Sequence, residues 1–220
     1  MQRIYLALTL AAFSLGSAPV HAATDPALDK ALQQMDVAAK NFKSAEADLK
    51  WDFYEKVVRD TTTQTGSTYF LKTKSGTEMG AVITTPSLKY LHFGSGKGSL
   101  YDAVSKKLTP FDAGKDRSRV ESFLTLGFGG SGKDLERAWT VTLQGNDTID
   151  GTPTVKLDLK PKDPATAQTF THVLVWIDTA RAISLKQQFF TPEGDTRTTY
   201  YSHINYNTPI DLKRYTAPKH

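Results

Sequence analysis

The sequence predicts an α+β fold built on one large antiparallel sheet that curls into an unclosed β-barrel, with helices over an apolar cavity. Two patterns carry this expectation. From Ala45 to Tyr206 most of the chain alternates apolar and polar residues with a period of two, in runs broken by Gly, Pro, Asn and Asp. Helical spacing is confined to the N-terminal segment and a central insertion, with no internal repeat or linker. A meander of roughly ten or eleven strands with so few helices must curl or close to bury one face and remove its edges.

The two ends of the chain bound the class. Arg3, the apolar run Ile4 to Leu15 and the small-residue stretch Pro19-Val20-His21-Ala22 have the layout of an export signal cleaved after Ala22. The run is short for a bilayer span, and no second one follows. Residues 1–22 are therefore expected to be a signal peptide and 23–220 one domain. There is no cysteine, which removes a disulfide framework, thiolate zinc sites, a cysteine nucleophile and a lipid-bearing cysteine after the cleavage point. A cysteine-free exported domain fits a bacterial periplasm, free of any lipid anchor. Lys and Arg number 27 against 23 Asp and Glu. The lysines are spread along the strands as solvated faces and edge protection, which argues against nucleic acid as a partner.

Asp25-Pro26 opens a helix, a capping side chain followed by proline at the first helical position. Leu28, Ala31, Leu32, Met35, Ala39 and Phe42 then form one buried stripe. The period changes to two at Ala45, with Leu49, Trp51, Phe53 and Val57 on one face. Thr61 to Gly66 reads as a turn. Strands are expected over Ser67 to Lys74, Glu78 to Thr85, Lys89 to Phe93, Ser99 to Val104 and Lys107 to Phe111, with Gly94 to Gly98 as a turn. Beyond the insertion, strands follow at Trp139 to Gln144, Thr154 to Pro161, Phe170 to Asp178, Ile183 to Phe190 and Thr196 to Tyr206. Asn146 to Gly151 and Pro192 to Asp195 are read as turns. The expected concave face carries Trp51, Phe53, Leu91, Phe93, Trp139, Val141, Leu157, Leu159, Val173, Val175 and Ile177.

Catalytic signatures are sparse. Gly127 to Asp134 nearly matches a phosphate-binding loop, but Asp134 stands where the metal-binding hydroxyl belongs and the segment follows a helix. No G-x-S-x-G occurs. His92, His172, His203 and His220 show no i, i+2 or i, i+4 pair, so no metal site is readable. The expectation is a binding protein without a cofactor.

Several pieces in order resemble the outer-membrane lipoprotein-sorting, LolA-like family. They are the helix entering a strand at Phe42-Lys43-Ser44-Ala45, the turn and strand Gly96-Lys97-Gly98-Ser99-Leu100-Tyr101-Asp102, the stretch Phe123 to Leu135, Asn146 to Gly151 leading into Leu157 to Lys162, and Val175-Trp176-Ile177-Asp178 with the hairpin through Gly194-Asp195. The resemblance implies a periplasmic carrier that takes acylated lipoproteins or lipids from an inner-membrane exporter to an outer-membrane receptor, as a monomer. The alternative is a sensory or regulatory lipid-binding domain that docks on an envelope protein. The family's carrier has an Arg-Pro latch in an early strand. Here that region reads Tyr69-Phe70-Leu71-Lys72-Thr73-Lys74, leaving Lys72 as the candidate latch without arginine's planar fork of donors.

The insertion, Ser118 to Trp139, is the candidate lid. Phe123, Leu124, Leu126 and Phe128 join Phe70 and the concave-face residues as the expected ligand-binding set. Gly127, Gly129, Gly130 and Gly132 are read as a hinge. The open question is whether this segment covers a cavity or plugs the core.

Overall fold

The computed structural model describes residues 25–114 and 126–218. Helix α1 spans Pro26–Asn41, and the Asp25 carboxylate accepts from the Ala27 N–H at 2.8 Å to cap it. Its 3–4 spacing buries Ala31, Leu32, Met35, Ala38 and Ala39 on one side. Eleven strands follow in the first and last parts of the chain: β1 Ser44–Glu55, β2 Asp60–Thr73, β3 Gly76–Thr85, β4 Lys89–Gly94, β5 Lys97–Asp102, β6 Lys107–Asp112, β7 Trp139–Ile149, β8 Thr152–Pro161, β9 His172–Asp178, β10 Ile183–Phe190 and β11 Thr196–Tyr206. Two short helices, α2 Gly132–Ala138 and α3 Pro164–Thr169, and a 3₁₀ turn at Leu212–Tyr215 complete the elements of the described residues.

All eleven strands lie in one antiparallel sheet of order β6-β5-β4-β3-β2-β1-β11-β10-β9-β8-β7. The sheet does not close. Its two free edges, β6 and β7, are consecutive in the chain, so the central insertion is the connection between the open edges.

The structure corrects several local expectations. Thr61 to Gly66 is strand: β2 begins at Asp60, and Trp51 to Tyr54 of β1 pair with Gln64 to Thr61. The threonine run has no apolar alternation and so resembles a loop, yet β-branched residues suit a pleated backbone. The true turn lies at residues 56–59, with Arg59 at φ 56°, and it puts Val57 at 91% exposure, off the buried face. Asn146 to Ile149 also stay in β7, and the turn contracts to Asp150-Gly151. The turn between β4 and β5 contracts likewise to Ser95-Gly96, both at positive φ, the geometry of a two-residue hairpin. Helix α3 was not expected. Asp163 caps it through the Thr166 N–H at 2.8 Å, with Pro164 at its first position.

Register decides the faces. One row across the sheet runs Val141–Leu159–Val173–Phe189–Arg197–Phe53–Thr62, and the next runs Leu143–Leu157–Val175–Gln187–Thr199–Trp51–Gln64. These rows form the inner face, against which Leu32 and Met35 of α1 pack. The outer face carries a different ladder, Lys156–Trp176–Lys186–Tyr200–Lys50. The lysine ammonium groups lie 4.4–5.3 Å from the aromatic ring centroids. Trp176 is buried beneath those lysines and its indole donates to Asp147 at 2.8 Å. These lysines therefore shield aromatic surface with their stems as well as solvating the face.

Candidate ligand cleft on the inner face

The inner face holds two buried clusters. One gathers Phe42, Ala45, Leu49, Phe70, Phe93, Phe128, Ile183 and Tyr201. The other gathers Leu32, Met35, Leu126, Trp139, Leu157, Leu159, Val173, Val175 and Ile177. Both contain residues of the insertion's C-terminal end, because the chain at residues 126–129 lies directly on the sheet. The Phe128 ring is parallel to Phe70 with centroids 3.7 Å apart and meets Tyr201 edge-on at 4.8 Å. Its backbone bridges Ile183, the Gly129 N–H donates to Ala182 C=O at 3.0 Å, and the Ser184 N–H donates to Gly127 C=O at 2.5 Å.

Buried Gln187, an inward-facing residue of β10, ties this segment down. Its Nε2 donates to the Leu126 carbonyl, and its Oε1 accepts from Tyr201 Oη at 3.5 Å. Burial pushes the Tyr201 phenol well above its ordinary pKa, so this group stays a neutral donor. A polar residue at an inward strand position carries no sequence signal of its own, and Gln187 was not anticipated.

Gly127, Gly129 and Gly132 are sites of close approach, whereas a Cβ on Gly130 would meet nothing within 4 Å. Gly129, at φ 73°, lies where an added Cβ would fall 2.3 Å from Phe42 Cδ1, and a Cβ on Gly127 would fall 2.5 Å from that of Ser184. Neither position accepts a larger residue without moving its neighbour. The near-match to a phosphate loop also resolves structurally. The Gly129 amide is used by Ala182, the Lys133 amide by Asp36 at 3.2 Å, and the Asp134 amide by Ser131 Oγ at 3.1 Å. Ser131 and Asp134 form a capping box that starts α2, so these amides are already satisfied. Burial acts to raise the Asp134 pKa, but hydrogen bonds from Ser131 and the Arg137 charge outweigh it and hold the carboxyl below its ordinary range.

The residues expected to line the ligand site divide by burial. Phe70, Phe93, Leu126, Phe128, Trp139, Leu157, Leu159, Val173, Val175 and Ile177 are buried and packed on one another. Trp51, Phe53, Leu91 and Val141 share the inner face but are only half-buried. Phe123, Leu124 and the Ala22 cleavage point lie outside the described residues. Lys72 Nζ donates to the Ala39 carbonyl at 3.0 Å and so ties β2 to the last turn of α1.

An aromatic end of the inner face lies where the two register rows reach β10, β11 and β1. Trp51, Phe53, Phe170 and Phe189 are all half-buried there. The Trp51 and Phe53 ring centroids are 4.5 Å apart, and those of Phe170 and Phe189 5.0 Å. Phe189 was legible from the alternation of β10, whereas Phe170 arrives through the unforeseen helix α3. Among the described residues no group of three or more His, Asp or Glu could hold a metal. His92, His172 and His203 each pair singly with Glu78, Asp158 and Asp48. No helix of the described residues is long and apolar enough to cross a membrane.

A family model described as "-like: Uncharacterized protein" matches residues 128–217. No curated protein matches. Among solved structures, MucB aligns over 89% of this chain and 64% of its own, with 12% identity and a TM-score of 0.58. The MucA/MucB complex of Pseudomonas aeruginosa aligns over 87% and 61%, with 13% identity and a TM-score of 0.56. This chain thus spans less than two thirds of the MucB chains it matches. An outer-membrane lipoprotein-sorting protein domain from Vibrio parahaemolyticus aligns over 86% and 97%, with 14% identity and a TM-score of 0.45. At such identities the likeness is one of fold. The unclosed eleven-stranded sheet with helices is the architecture that the sequence resemblance implied.

Proposed function

We propose that this chain is an exported carrier that shelters acyl chains of lipids or lipoproteins against the inner face of its sheet and helps move them toward the outer membrane. One observation carries the reading. The half-buried Trp51, Phe53 and Phe189 continue the same register rows as the fully buried Leu157, Val173 and Val175, so the apolar core runs without interruption into a half-buried aromatic end. A soluble domain gains by covering such surface. A sixteen-carbon chain buried at about 0.8 kcal/mol per methylene supplies on the order of 12 kcal/mol gross, before ordering costs. The ligand set in this reading is the half-buried residues at that end, with Phe123, Leu124, Leu126 and Phe128 as the covering segment and Lys72 as a tether of α1. It needs no catalytic residue and no cofactor.

In the same reading residues 1–22 are removed on export and 23–220 work in the periplasm as one domain, meeting an inner-membrane donor and an outer-membrane acceptor. Protein purified from a periplasmic extract should begin at Ala23 and release acyl species on denaturing mass spectrometry. Repeated absence of any acyl species would remove the carrier reading. The fold shared with MucB, which has been solved with MucA, supports a second reading as a regulatory domain docking on an envelope protein. Stoichiometric co-purification of one protein without lipid would favour it.

A further inference from the structure

The most exposed large apolar side chains among the described residues are three valines, and all three stand on turns. Val57 and Val58, 91% and 62% exposed, lie in the β1–β2 turn, and Val104, 77% exposed, lies in the β5–β6 turn. Strands β1 to β6 form one antiparallel meander, so β1 and β5 run the same way and both turns sit on the same rim of the sheet. The first turn stands clear. Strand β3 leaves the ladder where Thr85 faces Thr65, so Asp60 to Gln64 carry the β1–β2 tip about 16 Å beyond it.

Neither turn asks for valine. Arg59 and Lys106 take the positive-φ positions, at 56° and 54°, and Asp102 Oδ1 accepts from the Val104 and Ser105 N–H groups at 3.0 and 2.9 Å. The Lys56 N–H donates to Asp195 at 2.9 Å, and the Arg59 N–H to Glu55 C=O at 2.8 Å. Other groups thus serve the backbone, and turns ordinarily use Gly, Pro, Asn, Asp and Ser. Charge divides the two tips. Around Val104 the cations Lys89, Lys106 and Lys107 outnumber Asp102, with Leu108, 53% exposed, next along β6. At the first tip Lys56 and Arg59 are balanced by Glu55 and Asp60, with Glu193 and Asp195 on the adjoining β10–β11 turn. Two separated tips do not supply the roughly 800 Å² per partner that a stable protein interface uses. A lipid headgroup layer, by contrast, admits single apolar side chains beside lysine stems.

We propose that this rim docks on an anionic membrane surface. Val104 and Leu108 enter the headgroup layer while Lys89, Lys106 and Lys107 meet its phosphates, and Val57 and Val58 make a second apolar contact. The surface uses none of the residues of the ligand cleft, so it stands apart from the acyl-binding reading and would give such a carrier its place of exchange.

The chain has no cysteine, so a single introduced one reports each tip. Val104→Cys, Val57→Cys and, on the opposite rim in the β2–β3 turn, Lys74→Cys are each labelled in the mature protein with an environment-sensitive fluorophore. Each is mixed with vesicles of phosphatidylglycerol or of phosphatidylcholine. Phosphatidylglycerol should shift emission to the blue at residues 104 and 57 and leave residue 74 unchanged. In sedimentation with the same vesicles, Lys106→Gln combined with Lys107→Gln should weaken binding about 25-fold, or fivefold per charge near the surface, and high salt should act the same way. Val104→Asp, and Val57→Asp combined with Val58→Asp, should each weaken binding about tenfold or more with the melting temperature unchanged, because these side chains are exposed. Equal binding to phosphatidylcholine, a matching shift at residue 74, or unchanged binding in the aspartate variants would overturn the inference. Binding to neither vesicle would also overturn it and leave the tips to a protein partner, while release of acyl species would still decide the carrier reading. Vesicle binding by a protein that releases no acyl species would keep the docking surface and remove the carrier.

Discussion

Phe128→Ala is the sharpest probe of how the insertion is held. Phe128 is 1% exposed, contacts Phe70 and Tyr201 through its ring and bridges Ile183 through its backbone. Truncating a buried phenylalanine costs about 3–5 kcal/mol, since both transfer energy and packing are lost. For a domain of this size each kcal/mol lowers Tm by about 2–4 °C, so a fall of roughly 6–20 °C is expected. Urea melts followed by circular dichroism measure the loss directly. Amide exchange adds the local readout, because the Gly129 and Ser184 N–H groups, bonded to Ala182 and Gly127, should lose protection before the central strands do. Phe128→Leu, which keeps most of the volume, should lose much less. A loss below about 1 kcal/mol in Phe128→Ala with unchanged protection at both amides would show that residues 126–129 are not pinned as described.

Other outcomes follow from neighbouring contacts. Gly129→Ala forces a Cβ onto the Phe42 ring at a positive φ, and should cost about 1–3 kcal/mol in chemical denaturation. Gln187→Leu leaves the buried Leu126 carbonyl without its donor, and should cost about 1–3 kcal/mol by the same assay, with faster exchange at Gly129. The pH dependence has a definite sign. Burial, followed by hydrogen bonding to a carboxylate, raises the phenols of Tyr69 (to Glu78) and Tyr215 (to Glu46), the latter to about 12, while burial alone raises Tyr201. A pKa raised in the folded state gives stability that is complete below the unfolded value of about 10 and is lost as pH climbs through the folded values. Thermal melts should therefore hold level up to about pH 10 and fall steeply above it, and Tyr201→Phe should flatten that fall. A melting temperature flat to pH 12 would contradict these environments.

The sequence by itself determined the N-terminal helix, most strand positions and which residues within a strand share a face. Asp25-Pro26 and the 3–4 stripe from Leu28 fix α1, and strict alternation puts Trp51 with Phe53, Leu157 with Leu159 and Val173 with Val175 on one side of their own strand whatever the partners are. Local period carries that information because side-chain direction is set by the backbone alone. It failed where polarity misled, at the threonines of β2 and the helix α3, since polar residues at a half-open sheet end look the same as loop residues.

Only the tertiary structure decided what the insertion's described end does. Gly127 and Gly129 look like hinge residues in sequence, yet they are small because Ser184 and Phe42 come within contact of their backbone. Gln187 looks like a surface residue and is a buried tie. The aromatic end with Trp51, Arg197 and Phe170 exists because β1, β11 and α3 meet there from positions far apart in the chain. Such meetings depend on register and long-range packing, and no local pattern encodes them.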